Sequence, residues 1–115
     1  MIRVLIRRRQ EDRSISGYTV TGHALYADPG KDIVCAGVSA VAVGTVNSIE
    51  ALASEGLETE MEDGFLRVEV PLLEGDAQER AQLLLESMVV MLKTIKESYG
   101  KYISIQESYN KGGRP

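Results

Sequence analysis

Apolar and polar positions alternate at the start of the chain, where Ile2, Val4 and Ile6 are interleaved with Arg3, Leu5 and Arg7. A period of two predicts a strand with one face turned to a core. Ser14 to Gly22, rich in Thr, Tyr, Val and Ile, reads as a second strand, joined to the first through polar Gln10 to Arg13. The period then changes. Between Asp32 and about Ser54, the residues Val38, Val41, Ala42, Thr45, Val46, Ile49, Leu52 and Ala53 recur at three and four, which predicts a helix with one buried stripe. Asp32 is placed to cap it. The front of this helix is rich in Ala, Gly and Ser, so it can approach a sheet closely, although Gly37 and Gly44 each cost about 1 kcal/mol of helix propensity.

Leu57 to Glu62 and Phe65 to Val70 flank Asp63-Gly64, a strong two-residue hairpin signal, and Pro71 ends the pair. Asp76 with Glu79 resembles a capping box opening a second helix to Tyr99. Its core face reads Ala81, Leu84, Met88, Leu92 and Ile95, with Gly100 as the stop. Lys101 to Glu107 alternates as a last strand. The order ββαββαβ implies an α+β domain: a largely antiparallel sheet with two helices on one face. One domain is expected over residues 1–115, with residues 110–115 as a loose tail.

Composition narrows the class without naming a function. With 43% apolar and 26% charged residues, the 115-residue chain reads as an ordinary soluble globular protein. One cysteine forms no internal disulfide, which suits a reducing compartment. The N-terminus has no apolar signal core and no run approaches transmembrane length, so the cytoplasm is the expected location, with no membrane partner. The net charge of −4 argues against a general nucleic-acid binder. Its distribution is uneven: five arginines lie in the first thirteen residues, and Glu50 to Arg80 holds ten acids against two bases. That acidic region is either a solvated surface or an attractor for a basic protein substrate.

The candidate chemistry lies between the second strand and the first helix, in Gly22 to Ser48. This stretch holds the only histidine, His23, and the only cysteine, Cys35. With Asp32 as cap, Cys35 falls in the first helical turn, whose free N–H groups and partial positive charge favour a thiolate. An imidazole nearby would stabilise that thiolate and protonate a leaving amine, and the same N–H groups could hold an oxyanion. Together these ingredients point to acyl transfer. On residue types alone Cys35 could equally be inert core and His23 structural. Asp32 is a cap that can also orient His23, and Ser39, one turn after Cys35, is either a supporting group or packing. Tyr26, Asp28 and Gly30 form either a plain loop or one wall of a substrate groove. One Cys, one His and two Asp lack a zinc spacing, and no phosphate-binding glycine fingerprint is present, so no metal and no cofactor are expected.

The segment Gly22-His23-Ala24, Tyr26, Gly30, Asp32-Ile33-Val34-Cys35-Ala36, Val38-Ser39 resembles the signature of the bacterial ribosomal-processing cysteine protease family, Prp. The resemblance spans the whole chain, including its length and element order. It implies a cytoplasmic endopeptidase, usually a homodimer. Such an enzyme removes a short N-terminal extension from large-subunit ribosomal protein twenty-seven. The family's catalytic histidine and cysteine fall on His23 and Cys35, and its aspartate on Asp32. The family's cut follows a hydrophobic, aromatic-containing stretch, which implies an apolar groove beside Cys35. The loop from Ala24 to Lys31 is expected to cover the peptide, with Gly30 as a hinge. Two other readings stay open. One is a non-catalytic ribosome-associated binding module in which Arg3, Arg7, Arg8 and Arg9 touch RNA. The other is an interaction protein whose Cys35 is only core.

Overall fold

The structure, a computed structural model, describes residues 1–28 and 32–110. Strands β1 (Ile2–Arg9) and β2 (Ile15–Thr21) precede helix α1 (Ile33–Ala53). The hairpin β3 (Glu58–Glu62) and β4 (Phe65–Glu69), helix α2 (Gly75–Tyr99) and strand β5 (Ile103–Asn110) follow. The α+β class and the order ββαββαβ are as the sequence pattern predicts. The strands lie side by side as β3-β4-β2-β1-β5, antiparallel throughout except for β1 with β5. A parallel partner cannot be reached by a tight turn, and α2 carries the chain across the sheet to place β5 at the far edge.

Alternation puts Ile2, Val4 and Ile6 on the buried face with Tyr18, Leu66, Val68 and Ile103. Against them α1 lays Val34, Val38, Ala42, Thr45, Ile49 and Ala53, and α2 lays Ala81, Leu85, Met88, Val89 and Leu92. The small residues of α1 allow a close approach. The buried Tyr18 hydroxyl donates to the Ala42 carbonyl at 2.7 Å, pinning the helix to the sheet, and burial raises the Tyr18 pKa. By length and composition α1 is apolar enough to cross a membrane, which amends the expectation that no run approaches that size. In this fold its apolar stripe forms the core.

Three of the five N-terminal arginines, Arg7, Arg8 and Arg9, are drawn inward, while Arg3 and Arg13 stay exposed. Arg8 and Arg9 are both 8% exposed. Arg8 forks onto Glu86 of α2 at 2.5 and 2.9 Å and reaches Glu107 of β5 at 2.6 Å. Arg9 donates to the carbonyls of Val70 and Ile15 and to the Ser14 hydroxyl. Arg7 lies across Gly17 to Thr19 and Glu69. A Cβ on Gly17 would stand 2.7 Å from the Val68 carbonyl oxygen as well as 2.6 Å from the Arg7 guanidinium, and the backbone contact cannot give way, so this glycine is needed for the close approach.

Several local expectations are corrected. The buried stripe of α2 includes Leu85 and Val89, while Leu84 and Ile95 are half-buried, because α2 packs against both α1 and the sheet. Leu52 points outward. Asp76 does not cap α2, which begins a residue earlier at Gly75 with φ +58°. Gln78 reaches back instead and accepts the Leu73 N–H at 3.0 Å. Gly100 ends the helix with φ −60°, in the right-handed region. Asn110, expected in the tail, is the last residue of β5. The rest of the expected tail, residues 111–115, lies outside the described residues.

Candidate active site

The antiparallel register of β2 and β4 sets Thr21 opposite Phe65. The Asp63-Gly64 turn therefore stands beside Gly22 and His23, and the Gly22 N–H donates to the Gly64 carbonyl at 2.9 Å. The chain then crosses to α1, whose first turn carries Cys35. His23, Cys35 and Ser39 line one cavity of about 230 Å³, with Ile2, Val20, Val38, Ala42, Val43 and Leu66 giving it apolar walls. Met61 to Phe65 of the β3–β4 hairpin close its other side.

Asp32 caps α1 as expected and does more. Its Oδ1 accepts the N–H groups of Val34 and Cys35, both at 3.0 Å. Oδ2 accepts those of Tyr26 at 2.9 Å and Ala27 at 3.3 Å. At 9% exposure, burial raises the Asp32 pKa, but the four N–H groups outweigh it and hold the carboxyl below its ordinary value. The carboxylate is thus committed to backbone on both sides, and no hydrogen bond joins it to His23.

The half-buried Cys35 thiol accepts a hydrogen bond from the Ala24 N–H at 3.3 Å. That donor comes from the loop rather than the helix. The Val34 and Cys35 N–H groups are taken by the Asp32 side chain, and the Ala36 N–H by the Asp32 carbonyl at 3.0 Å. Of the first-turn N–H groups expected to hold an oxyanion, these three are therefore engaged within the protein in this structure. Ala24 N–H is the donor found at the sulfur. His23 is exposed, and no hydrogen bond links it to Cys35 in this structure.

Tyr26 turns away from the cavity and packs edge-to-face on Tyr99 and Tyr102, with ring centroids 5.5 and 5.1 Å apart. Neither Tyr26 nor Asp28 lines the cavity. Gly30 lies outside the described residues, as do Pro29 and Lys31. The hairpin wall was missed in the sequence. Asp63-Gly64 is legible as a turn, but that it abuts His23 depends on β4 pairing with β2, and periodicity does not encode strand partners. Among the described residues no group of three or more His, Cys, Asp or Glu is arranged to hold a metal.

The family model described as cysteine protease Prp matches residues 1–104. The ribosomal processing cysteine protease Prp of Bacillus subtilis is 45% identical over 102 residues, covering 86% of this chain and 90% of that protein. Its Staphylococcus aureus counterpart is 37% identical over 95 residues, covering 83% and 89%. The crystal structure of the S. aureus protease Prp with a covalently linked product peptide superposes with a TM-score of 0.83 at 36% identity, over 94% of this chain and 100% of that one. The same protease with a substrate peptide gives 0.76 at 35% identity, over 96% and 100%.

Proposed function

The chain belongs to the cysteine protease Prp family and is a cysteine protease, and from that premise we propose that it processes a ribosomal protein precursor. The specific substrate in this reading is large-subunit ribosomal protein twenty-seven, cut once to release a short N-terminal extension. The observation that carries the reading is that His23 and Cys35 line one apolar-walled cavity, with a backbone N–H already donating to the sulfur.

His23 takes the Cys35 proton, and the thiolate attacks the scissile carbonyl carbon, forming a C–S bond and an oxyanion. The Ala24 N–H, released from sulfur as the negative charge moves to oxygen, donates to that oxyanion. Collapse breaks the C–N bond while His23 passes its proton to the leaving amine. Water deprotonated by His23 then cleaves the thioester. Asp32 keeps the loop carrying Ala24 in register with the helix carrying Cys35. Val20, Val38, Ala42 and Leu66 suit the side chains of an apolar stretch ahead of the cut. Ser39, at the cavity wall, contacts the peptide.

A working thiolate requires reducing conditions, so the cytoplasm is the proposed location. A homodimer is the proposed assembly, supported by Leu83, Val90 and Met91 exposed on α2. The binding-module reading has less support, because Arg7, Arg8 and Arg9 are spent on internal partners. The test is incubation with the extended ribosomal protein and mass spectrometry of the products. A single N-terminal cut is expected; an intact precursor overturns the assigned substrate.

A further inference from the structure

Catalytic imidazoles beside a thiol are ordinarily oriented by a third group. Here the obvious carboxylate, Asp32, gives its oxygens to four backbone N–H groups. None of the hydrogen bonds or ion pairs among the described residues involves the His23 side chain. What the imidazole does meet is Gly64. A Cβ built on this glycine would stand 2.8 Å from Nε2 of His23, 3.3 Å from Cε1 and 3.4 Å from Cδ2. The ring tip therefore rests directly on the bare backbone of the turn. The same glycine accepts the Gly22 N–H at 2.9 Å, so it holds the main chain entering His23 as well as the ring.

We infer that Gly64 is a positioning residue for His23, and that the β3–β4 turn is the surface that orients the imidazole towards Cys35. This rests on the catalytic roles proposed above for those two residues. Gly64 has φ +71°, so the turn alone already favours glycine, and a substitution must separate backbone strain from the lost contact. Gly75 supplies the control. It has φ +58° with nothing within 4 Å of a built Cβ, so Gly75→Ala carries comparable backbone strain and meets no side chain.

The experiment compares Gly64→Ala, Gly75→Ala and wild type in two assays: steady-state cleavage of the extended ribosomal protein, and the pH dependence of Cys35 alkylation by iodoacetamide. Gly64→Ala should lower kcat roughly tenfold or more with KM little changed, since displacements near 1 Å are enough for such losses. It should also shift the alkylation profile, whereas Gly75→Ala should match wild type in both assays. In a His23→Ala background, Gly64→Ala should have no further effect on alkylation, because its influence passes through the imidazole. Gly64→Ala indistinguishable from Gly75→Ala, an increased kcat, or an alkylation shift that persists without His23 would each overturn the inference. If wild type leaves the precursor intact, the assigned substrate fails and the alkylation assay alone decides about Gly64.

Discussion

Asp32 joins two segments through one carboxylate, and each oxygen has its own task. Oδ1 holds the helix start at Val34 and Cys35, and Oδ2 holds the loop at Tyr26 and Ala27. Asparagine retains one acceptor oxygen, so Asp32→Asn should keep the cap and release the loop. Turnover should fall while α1 stays folded, as read by cleavage rate and circular dichroism. The pH dependence follows from the lowered pKa. The stabilisation is complete above the ordinary carboxylate range, about pH 4, and is lost as the pH falls through the lower folded value. Asp32→Asn should therefore lose less stability than wild type between about pH 5 and pH 2, measured by denaturant titration at each pH. At the sulfur, Cys35→Ala and His23→Ala should each lower cleavage by roughly 10³-fold or more without unfolding the protein. Residual activity near the wild-type level in purified Cys35→Ala would refute the mechanism. The cap was legible because an aspartate before an apolar-periodic run has one obvious use. Its second use was not, because the loop's path back to the carboxylate is tertiary.

At the scale of elements, the loop after β2 is better anchored than its polar sequence suggests. Ala24 is buried, and the Tyr26 ring wedges against Tyr99 at the end of α2 and Tyr102 just beyond it. Aromatic pairs of this kind contribute about 0.5–1.5 kcal/mol beyond their buried area. Tyr26→Ala should therefore speed amide hydrogen exchange at Ala24 to Ala27 and lower turnover, while Tyr26→Phe, which keeps the ring, should resemble wild type in both. Equal exchange in the two variants would show that Asp32 alone holds the loop. The elements themselves were legible because periods of two and of three to four separate cleanly along this chain. Their partners were not: nothing local tells β1 to accept β5 in parallel, or β4 to lie beside β2 and bring its turn to His23. The wider buried face of α2, which adds Leu85 and Val89 to the expected Ala81, Met88 and Leu92, has the same origin, since Leu84 and Leu85 satisfy the helical period about equally and the choice is made by α1 and the sheet.

Across the whole molecule, charge is sorted by role. Arg8 and Arg9 are consumed in the interior, where the Arg8 hydrogen bond holds the Glu107 pKa below its ordinary value, while Arg3, Arg13 and most of the acids stay on the surface. The outermost strand, β3, is the clearest case: all five of its residues are exposed, and three of them are glutamates. An edge strand offers unpaired N–H and C=O groups to any other extended chain, and repeated like charge is one means of keeping a second copy away. The acidic hairpin is thus expected to keep copies apart in solution as well as to shape the cavity. Glu58→Gln with Glu60→Gln should let copies stack edge to edge near neutral pH, giving growing particles in dynamic light scattering. Glu79→Gln with Glu97→Gln on α2, which makes the same change in net charge, should leave the solution clear.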